Sequence, residues 1–286
     1  MYIVLGASGH IGAQVVRELR TTGHSVIALA HSAEKARDMS DGNLIEGVPI
    51  DVGDAEALRE VFKRSKRAFL LNPPASPKSD TNAEELRTAR SIAKAVDGSG
   101  LEKVVVASTY GAQEGNAIGD LSVLWEFERL VEATGVPTAV NRGAYYLTNL
   151  DQLLEPAKQG VLPTPFPADL VLPMVSPIDL GAAAAARLKS SIDDVGIKSV
   201  EGPRRYTFAD VASAFSELLR HDVSLELIPR DRIESNYRQL GFSEPAARAF
   251  TRMTMATLDG PDHPADPRRG KVTLEEHLCS LGSAKT

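Results

Sequence analysis

A single cysteine, Cys279, is all the thiol available in 286 residues. That excludes an internal disulfide and any thiolate-rich metal site. Aromatic residues are scarce, at 5%. A basic excess is missing too: 32 Lys and Arg face 38 Asp and Glu, for a formal charge of −6. A surface built for nucleic-acid phosphates needs the opposite balance. No apolar run reaches the length of a membrane span, and no charged-then-apolar leader precedes Met1–Leu5. His24, His221, His263 and His277 lack metal-ligand spacing and read as surface or loop residues. The expectation is a soluble cytoplasmic protein, monomeric or homodimeric. It holds no metal and serves a small molecule rather than a membrane or a nucleic acid.

What is present begins at residue 2. Tyr2-Ile3-Val4-Leu5 reads as a buried strand and enters Gly6-Ala7-Ser8-Gly9-His10-Ile11-Gly12 at once. Ile11, Val15, Val16 and Leu19 then recur at helical spacing, Gly23 closes the helix, and Ser25–Ala30 forms a second strand. Strand, glycine turn, helix and strand make a βαβ unit. In such a unit Gly6 allows the tight turn, Gly9 lets backbone approach a pyrophosphate, and Gly12 permits close packing. The helix start offers free N–H groups and a positive dipole end to that anion. Gly6, Ser8, Gly9, His10 and Ile11 are therefore the first candidate cofactor residues.

An NAD site usually carries Asp or Glu at the end of the second strand. Here that place holds Ala30-His31-Ser32, followed by Lys35 and Arg37, with Glu34 the only nearby acid. A neutral-to-basic pocket made by His31, Ser32 and Lys35 suits a 2′-phosphate, so NADP(H) is favoured over NAD(H). Further strands are expected near Val48–Asp51, Ala68–Leu71, Lys103–Ala107 and Thr138–Asn141. The helices between them follow Asp54 and cover Asn82–Val96 and Leu121–Ala133. This is an α/β Rossmann-type, doubly wound parallel sheet, whose ligands sit at the carboxyl ends of the strands. The rule adds Val52, Asn72, Pro73, Ser108 and Thr109 to the candidate cofactor rim.

After residue 142 prolines cluster and the alternation becomes irregular. Residues 1–142 read as the dinucleotide-binding domain. Residues 143–286 read as a smaller α/β substrate-capping region, some of whose sheet elements can return to the first domain. Helices are expected over Gly181–Ala186, Thr207–Leu219 and Thr273–Leu281, with Gly260–Arg269 as a connector. Met253 and Met255 can line a pocket, although methionines so placed are more often core. Asp193-Asp194 and Arg230-Asp231-Arg232 read as solvated faces.

Taken together, the chain resembles the NmrA-like branch of the atypical short-chain dehydrogenase/reductase superfamily, and within it the bacterial NAD(P)H:quinone oxidoreductase type. The resemblance spans nearly the whole chain. It rests on the Gly6–Gly12 turn, Val48-Pro49-Ile50-Asp51-Val52-Gly53-Asp54, and Glu128 with Leu130 ahead of Thr134-Gly135-Val136-Pro137. Asn141-Arg142-Gly143-Ala144-Tyr145-Tyr146 with Asn149, Ser176-Pro177-Ile178-Asp179, and Glu201-Gly202-Pro203 ahead of Tyr206-Thr207-Phe208 complete it. It implies an NADP(H)-binding reductase or a cofactor-sensing regulator acting through a protein partner, with a tailoring or isomerising enzyme as a third reading. It also implies that Asp51 lies by the adenine.

Most enzymes of the wider superfamily relay a proton through a Tyr-x-x-x-Lys pair. None of the six tyrosines here has lysine four residues on, and no lysine occurs between Lys103 and Lys158. Leu124 and Trp125 stand where relatives with a helix lysine or histidine carry it. Hydride delivered to a simple ketone makes a strongly basic alkoxide that needs a positioned acid. Hydride delivered to a quinone makes a phenolate-like anion, whose conjugate acid resembles tyrosine at about 10. A quinone-like or otherwise activated acceptor is therefore expected. Tyr110, Tyr145 and Asn141 are the candidate catalytic groups, and the two tyrosines can equally serve as packing against the nicotinamide or the lid.

Overall fold

In the computed structural model, which describes residues 1–260 and 262–283, strand β1 (Tyr2–Val4) leads through the glycine turn to α1 (His10–Thr21) and β2 (Val26–Ala30). The alternation continues with α2 (Ala33–Met39), β3 (Ile45–Pro49), α3 (Ala55–Phe62), β4 (Arg67–Leu70) and α4 (Thr81–Val96). It then runs through β5 (Lys103–Thr109), α5 (Asp120–Glu132) and β6 (Thr138–Gly143). Polar caps start three of these helices: the side chains of Ser32, Asp54 and Asp80 each accept the N–H three residues on. Such caps contribute about 1 kcal/mol apiece.

The remaining chain forms β7 (Tyr145–Tyr146), a 3-10 helix over Leu147–Leu153, α6 (Leu154–Lys158), β8 (Val161–Thr164), β9 (Val171–Val175) and α7 (Pro177–Lys189). After these come β10 (Gly196–Glu201), β11 (Arg205–Thr207), α8 (Phe208–Leu219), β12 (Ser224–Leu227), α9 (Ile233–Gln239), α10 (Glu244–Asp259), β13 (Arg268–Arg269) and α11 (Leu274–Ser283). One parallel sheet of eight strands, in the order β13-β10-β6-β5-β4-β1-β2-β3, dominates the molecule. Small sheets β11-β9-β7 and β12-β8 lie outside it.

Strand alternation divides the core. Ile3 and Ile27 pack with Phe62, Ile92 and Phe127 of α3, α4 and α5, whereas Val4 and Ala28 pack with Val15, Leu19, Leu180 and Ala184 of α1 and α7. A third cluster, around Leu150, Met174, Phe208 and Phe215, holds the outer region together. The strand order reverses at β1, which pairs with β2 on one side and β4 on the other. That reversal places a crevice at the carboxyl ends of β1 and β4.

Three details depart from the sequence reading. Strand β3 begins at Ile45, ahead of the expected Val48. A Cβ on Gly47 would fall 1.7 Å from the Ala36 carbonyl oxygen, so the glycine is what lets α2 lie on this edge strand. The Gly260–Arg269 connector ends in β13, the last strand of the large sheet; its Pro261 lies outside the described residues. Asp194 is no solvated acid: Arg187, Ser190 and Lys198 bond it, and these bonds hold its carboxyl well below the usual range.

Candidate functional site

The glycine turn is shaped by the backbone alone. Gly6 has φ +69, a conformation that favours glycine. A Cβ on Gly12 would sit 2.1 Å from the Gly6 carbonyl oxygen, so the close approach demanded of Gly12 is to this turn itself. Gly9 differs. Its φ of −91 suits any residue, and a Cβ there would meet only the Gly6 oxygen at an ordinary 3.4 Å. Nothing among the described residues requires glycine at 9. Helix α1 has no side-chain cap and no acid in its first turn, unlike α2, α3 and α4. Its first N–H groups face outward at the end of β1, beside exposed Ser8 and His10. The side chain of Ile11 turns the other way, into the core. These features fit a dinucleotide pyrophosphate.

The other rim residues fall at neighbouring strand ends. His31 and Lys35 are exposed after β2, and Ser32 Oγ is engaged in capping α2 through the Lys35 N–H. The Asp51 carboxylate accepts the Gly53 N–H at 2.8 Å, and Val52 packs half-buried against the core. Asn72 is anchored to α4, donating to the Glu85 carbonyl at 3.0 Å and accepting from Thr88 at 2.8 Å. That bond fixes the loop carrying Pro73.

Two candidates are corrected. Ser108 is buried with its hydroxyl donated to Glu128, which also takes a forked pair of bonds from Arg142 at 2.9 and 2.7 Å. Its side chain therefore braces β5 and β6 against α5 instead of entering the crevice. Asn141 is buried on the opposite face of the sheet, its amide oxygen accepting from Arg187 of α7. It is outside the cavity described next.

That cavity, about 460 Å³, opens beyond the ends of β5 and β6. Seven of the chain's fifteen aromatic residues (eight Phe, six Tyr, one Trp) line it: Tyr110, Tyr145, Tyr146, Phe166, Tyr237, Phe242 and Phe250. The scarce aromatics are thus concentrated at one place. Tyr237, Phe242 and Phe250 pack as a cluster with centroids 5.1 to 5.7 Å apart, and Tyr145 meets Phe166 edge-on at 6.0 Å. Thr109 and Met253 also reach the wall, while Met255, two residues on, does not.

Polar groups stand among the rings, Gln113, Asn149, Gln152 and Thr257 included. Tyr110 donates its hydroxyl to Glu201 at 3.2 Å, a fully buried carboxylate that also binds Arg205 and Arg269. The Tyr145 hydroxyl pairs with Asn149. Burial pushes all three of Tyr110, Tyr145 and Tyr146 well above the usual tyrosine range, so they keep their protons and act as hydrogen-bond donors. Two acids reach the wall, Asp120 at the start of α5 and Asp262. Behind Asp120, Glu85 is buried on α4, its Oε1 accepting the Ala75 N–H at 2.9 Å. Burial and the Asp120 charge push Glu85 up to about 7, and burial likewise raises Asp120.

Sequence reasoning missed both carboxyls, although a signal was there. Glu85 shares a helical stripe with Ala89, Ile92 and Val96, and Asp120 lies one turn before Leu124 on the stripe that lines the cavity. An acid in register with an apolar face is the readable mark. His277, expected at the surface, is buried on α11 and bonds Asp151 at 2.8 Å.

A parallel sheet with its strand order reversed at β1, flanked by helices on both faces, defines a Rossmann-type α/β fold. The chain belongs to the NmrA-like family, whose model matches residues 2–272. It is 24% identical over 252 residues to the (4-alkanoyl-5-oxo-2,5-dihydrofuran-3-yl)methyl phosphate reductase of Streptomyces griseus, covering 87% of this chain and 84% of that protein. Triphenylmethane reductase of Citrobacter sp. in complex with NADP(H) superposes with a TM-score of 0.82 at 20% identity, over 98% of this chain and 99% of that one. An NADPH-dependent quinone oxidoreductase of Escherichia coli in complex with NADPH superposes with a TM-score of 0.80 at 17% identity, over the full length of both.

Among the described residues, no helix is long and apolar enough to cross a membrane.

Proposed function

We propose that this chain is an NADPH-dependent reductase acting on a quinone-like or otherwise activated planar acceptor. The observation that carries the reading is the meeting, on one edge of the sheet, of a glycine turn fit for a pyrophosphate and an aromatic cavity whose wall, among the described residues, holds no lysine or arginine. The bound dinucleotide supplies hydride. The chain's task is to hold it and to orient the acceptor. The backbone N–H groups of His10 and Ile11, at the start of α1, bind the pyrophosphate, while those of Ala7 and Gly9 hold the turn through the Leu29 and Gly6 carbonyls. His31, Ser32 and Lys35, with no acid ending β2, favour the 2′-phosphate; Asp51 and Val52 flank the adenine. Asn72, Pro73 and Thr109 lead towards the acceptor cavity.

The cavity's chemistry matches such an acceptor. Its rings offer stacking surface to a flat molecule. The Tyr145 and Tyr146 hydroxyls can donate hydrogen bonds to a phenolate-like oxygen while keeping their protons. The activities for which the relatives are named, reduction of a furanyl phosphate, a triphenylmethane dye and a quinone, lie within one class of chemistry.

The test is NADPH absorbance decay with purified protein and a panel of menadione, benzoquinone and a triarylmethane dye, with NADH run alongside. Acceptor-dependent loss of NADPH, faster than that of NADH, is the expected result. Tight NADP binding by calorimetry with no loss of NADPH against any acceptor would overturn the reading and favour a cofactor-sensing regulator.

A further inference from the structure

We propose that the Asp120 carboxyl is the acid–base group of the cavity, giving its proton to the acceptor oxygen that becomes anionic on reduction. The inference rests on the reductase reading above. The tyrosines, where a donor was first sought, are held too firmly protonated to give a proton up. Asp120 is placed differently. As the first residue of α5 it forms part of the cavity wall, on the same helix face as Leu124 one turn on.

The carboxyl is not spent on structure. Among the described residues no hydrogen bond or ion pair engages it, and α5 begins at Gly119 without a side-chain cap. Gly119 packs against Met253 and the Ala249 carbonyl, so α10 closes over this end of α5. Its charged and titratable neighbours offer no cation. Glu85 faces it from α4 and Tyr146 from β7, while Tyr110, Tyr237 and Asp262 complete the wall. Arg248 and Arg252 of α10 line a separate groove with Trp125 and Glu126 on the outer side of α5. A half-buried carboxyl beside another carboxyl, with no cation paired to it among the described residues, is biased towards its protonated form. Burial does raise Asp120, against the lowering influence of a helix start.

The step balances. The acceptor would gain a hydride, which carries both electrons of the C–H bond broken in the bound reduced nicotinamide, leaving that cofactor oxidised. The O–H bond of Asp120 then breaks as an O–H bond forms on the acceptor, and the resulting carboxylate is reprotonated from solvent. Reduction should therefore slow as pH rises through the titration of Asp120, which burial moves above the ordinary carboxylate range.

Asp120→Asn preserves size and polarity but holds no transferable proton. The test uses the whole protein, with the fold of each variant checked by thermal melting. At about pH 6, D120N is expected to lower kcat for menadione on the order of 100-fold with KM little changed. It should also flatten the decline on the alkaline side, and Asp120→Glu should restore part of the rate. A second readout needs no turnover: infrared pH titration of the cofactor-free Glu85→Gln protein should show a protonated-carboxyl band that D120N removes. If the wild type turns over menadione and D120N keeps both its rate and its pH profile, the proposal is overturned and the reductase reading stands. Absence of an Asp120-dependent band between about pH 5 and about pH 8 also overturns it. A wild type that reduces no acceptor removes the reductase reading and this proposal with it.

Discussion

The glycine turn and the aromatic cavity share one sheet edge, yet they are assembled by opposite means. The turn takes its shape from seven consecutive residues, Gly6–Gly12, and from what their missing Cβ atoms permit. The cavity gathers side chains from β5, α5, β7, α9 and α10, between Thr109 and Asp262. One is a local backbone device, so its parts can be separated residue by residue. The other is a tertiary surface, so its parts depend on the same packed elements. This difference predicts how each responds to substitution.

The sharpest break comes within the turn. Gly12→Val forces a side chain onto the Gly6 carbonyl, where a Cβ would already lie at 2.1 Å. We expect a loss of stability on the order of 4 kcal/mol, measured by urea denaturation. Gly9→Val meets ordinary space and keeps its φ, so its stability should change by only about 1 kcal/mol, the cost of a poorer helix start. Its NADPH affinity, measured by calorimetry, should nevertheless fall on the order of 100-fold, since the new side chain occupies the place of the pyrophosphate. If G9V bound NADPH normally, the turn would no longer be part of the site.

That separation also explains what was legible beforehand. The βαβ unit, the turn at Gly6, the close packing at Gly12 and the doubly wound sheet are written in short, contiguous signals. Asp54, Gly23 and the 121–131 stripe act as read, because caps and helical periodicity are local. Ser108 and Asn141 illustrate the limit. Both lie at the correct strand ends, but a strand sends successive side chains to opposite faces. Only the partners across the sheet, Glu128 on α5 and Arg187 on α7, reveal that neither side chain enters the cavity. The lid residues Tyr237, Phe242 and Phe250 were illegible for the same reason: their helices carry no motif, and their meeting with Tyr145 is made only by the fold. Likewise β10 and β13 join the large sheet from beyond residue 142 through pairings no local pattern announces.

The cavity's buried carboxyls should make themselves felt in stability as well as chemistry. Glu85 is raised from 4.5 to about 7, so the folded protein holds its proton over a range where the unfolded chain has released it. The stabilisation is full at low pH and is lost as pH rises from about 4.5 through about 7, a decline on the order of 3 kcal/mol. Glu85→Gln keeps an acceptor for the Ala75 N–H and removes the titration. Urea unfolding at several pH values should therefore show E85Q losing this decline and exceeding wild-type stability above pH 7. An unchanged pH slope would mean that water reaches the carboxyl.

The smallest expected effect separates a wall residue from a chemical one. Tyr110 lines the cavity but donates its hydroxyl to Glu201, whose carboxylate is also held by Arg205 and Arg269. Tyr110→Phe removes one bond of several and leaves Glu201 paired, so stability should fall by only about 1 kcal/mol. The ring remains to pack against the acceptor, and kcat for quinone reduction should stay within about threefold of wild type. A residue that delivers the proton in the reaction typically costs about 100-fold or more when removed. The contrast between Y110F and D120N in one assay therefore locates the proton: a large loss for Asp120 and a small one for Tyr110 places it on the carboxyl of α5, and the reverse returns it to the tyrosine.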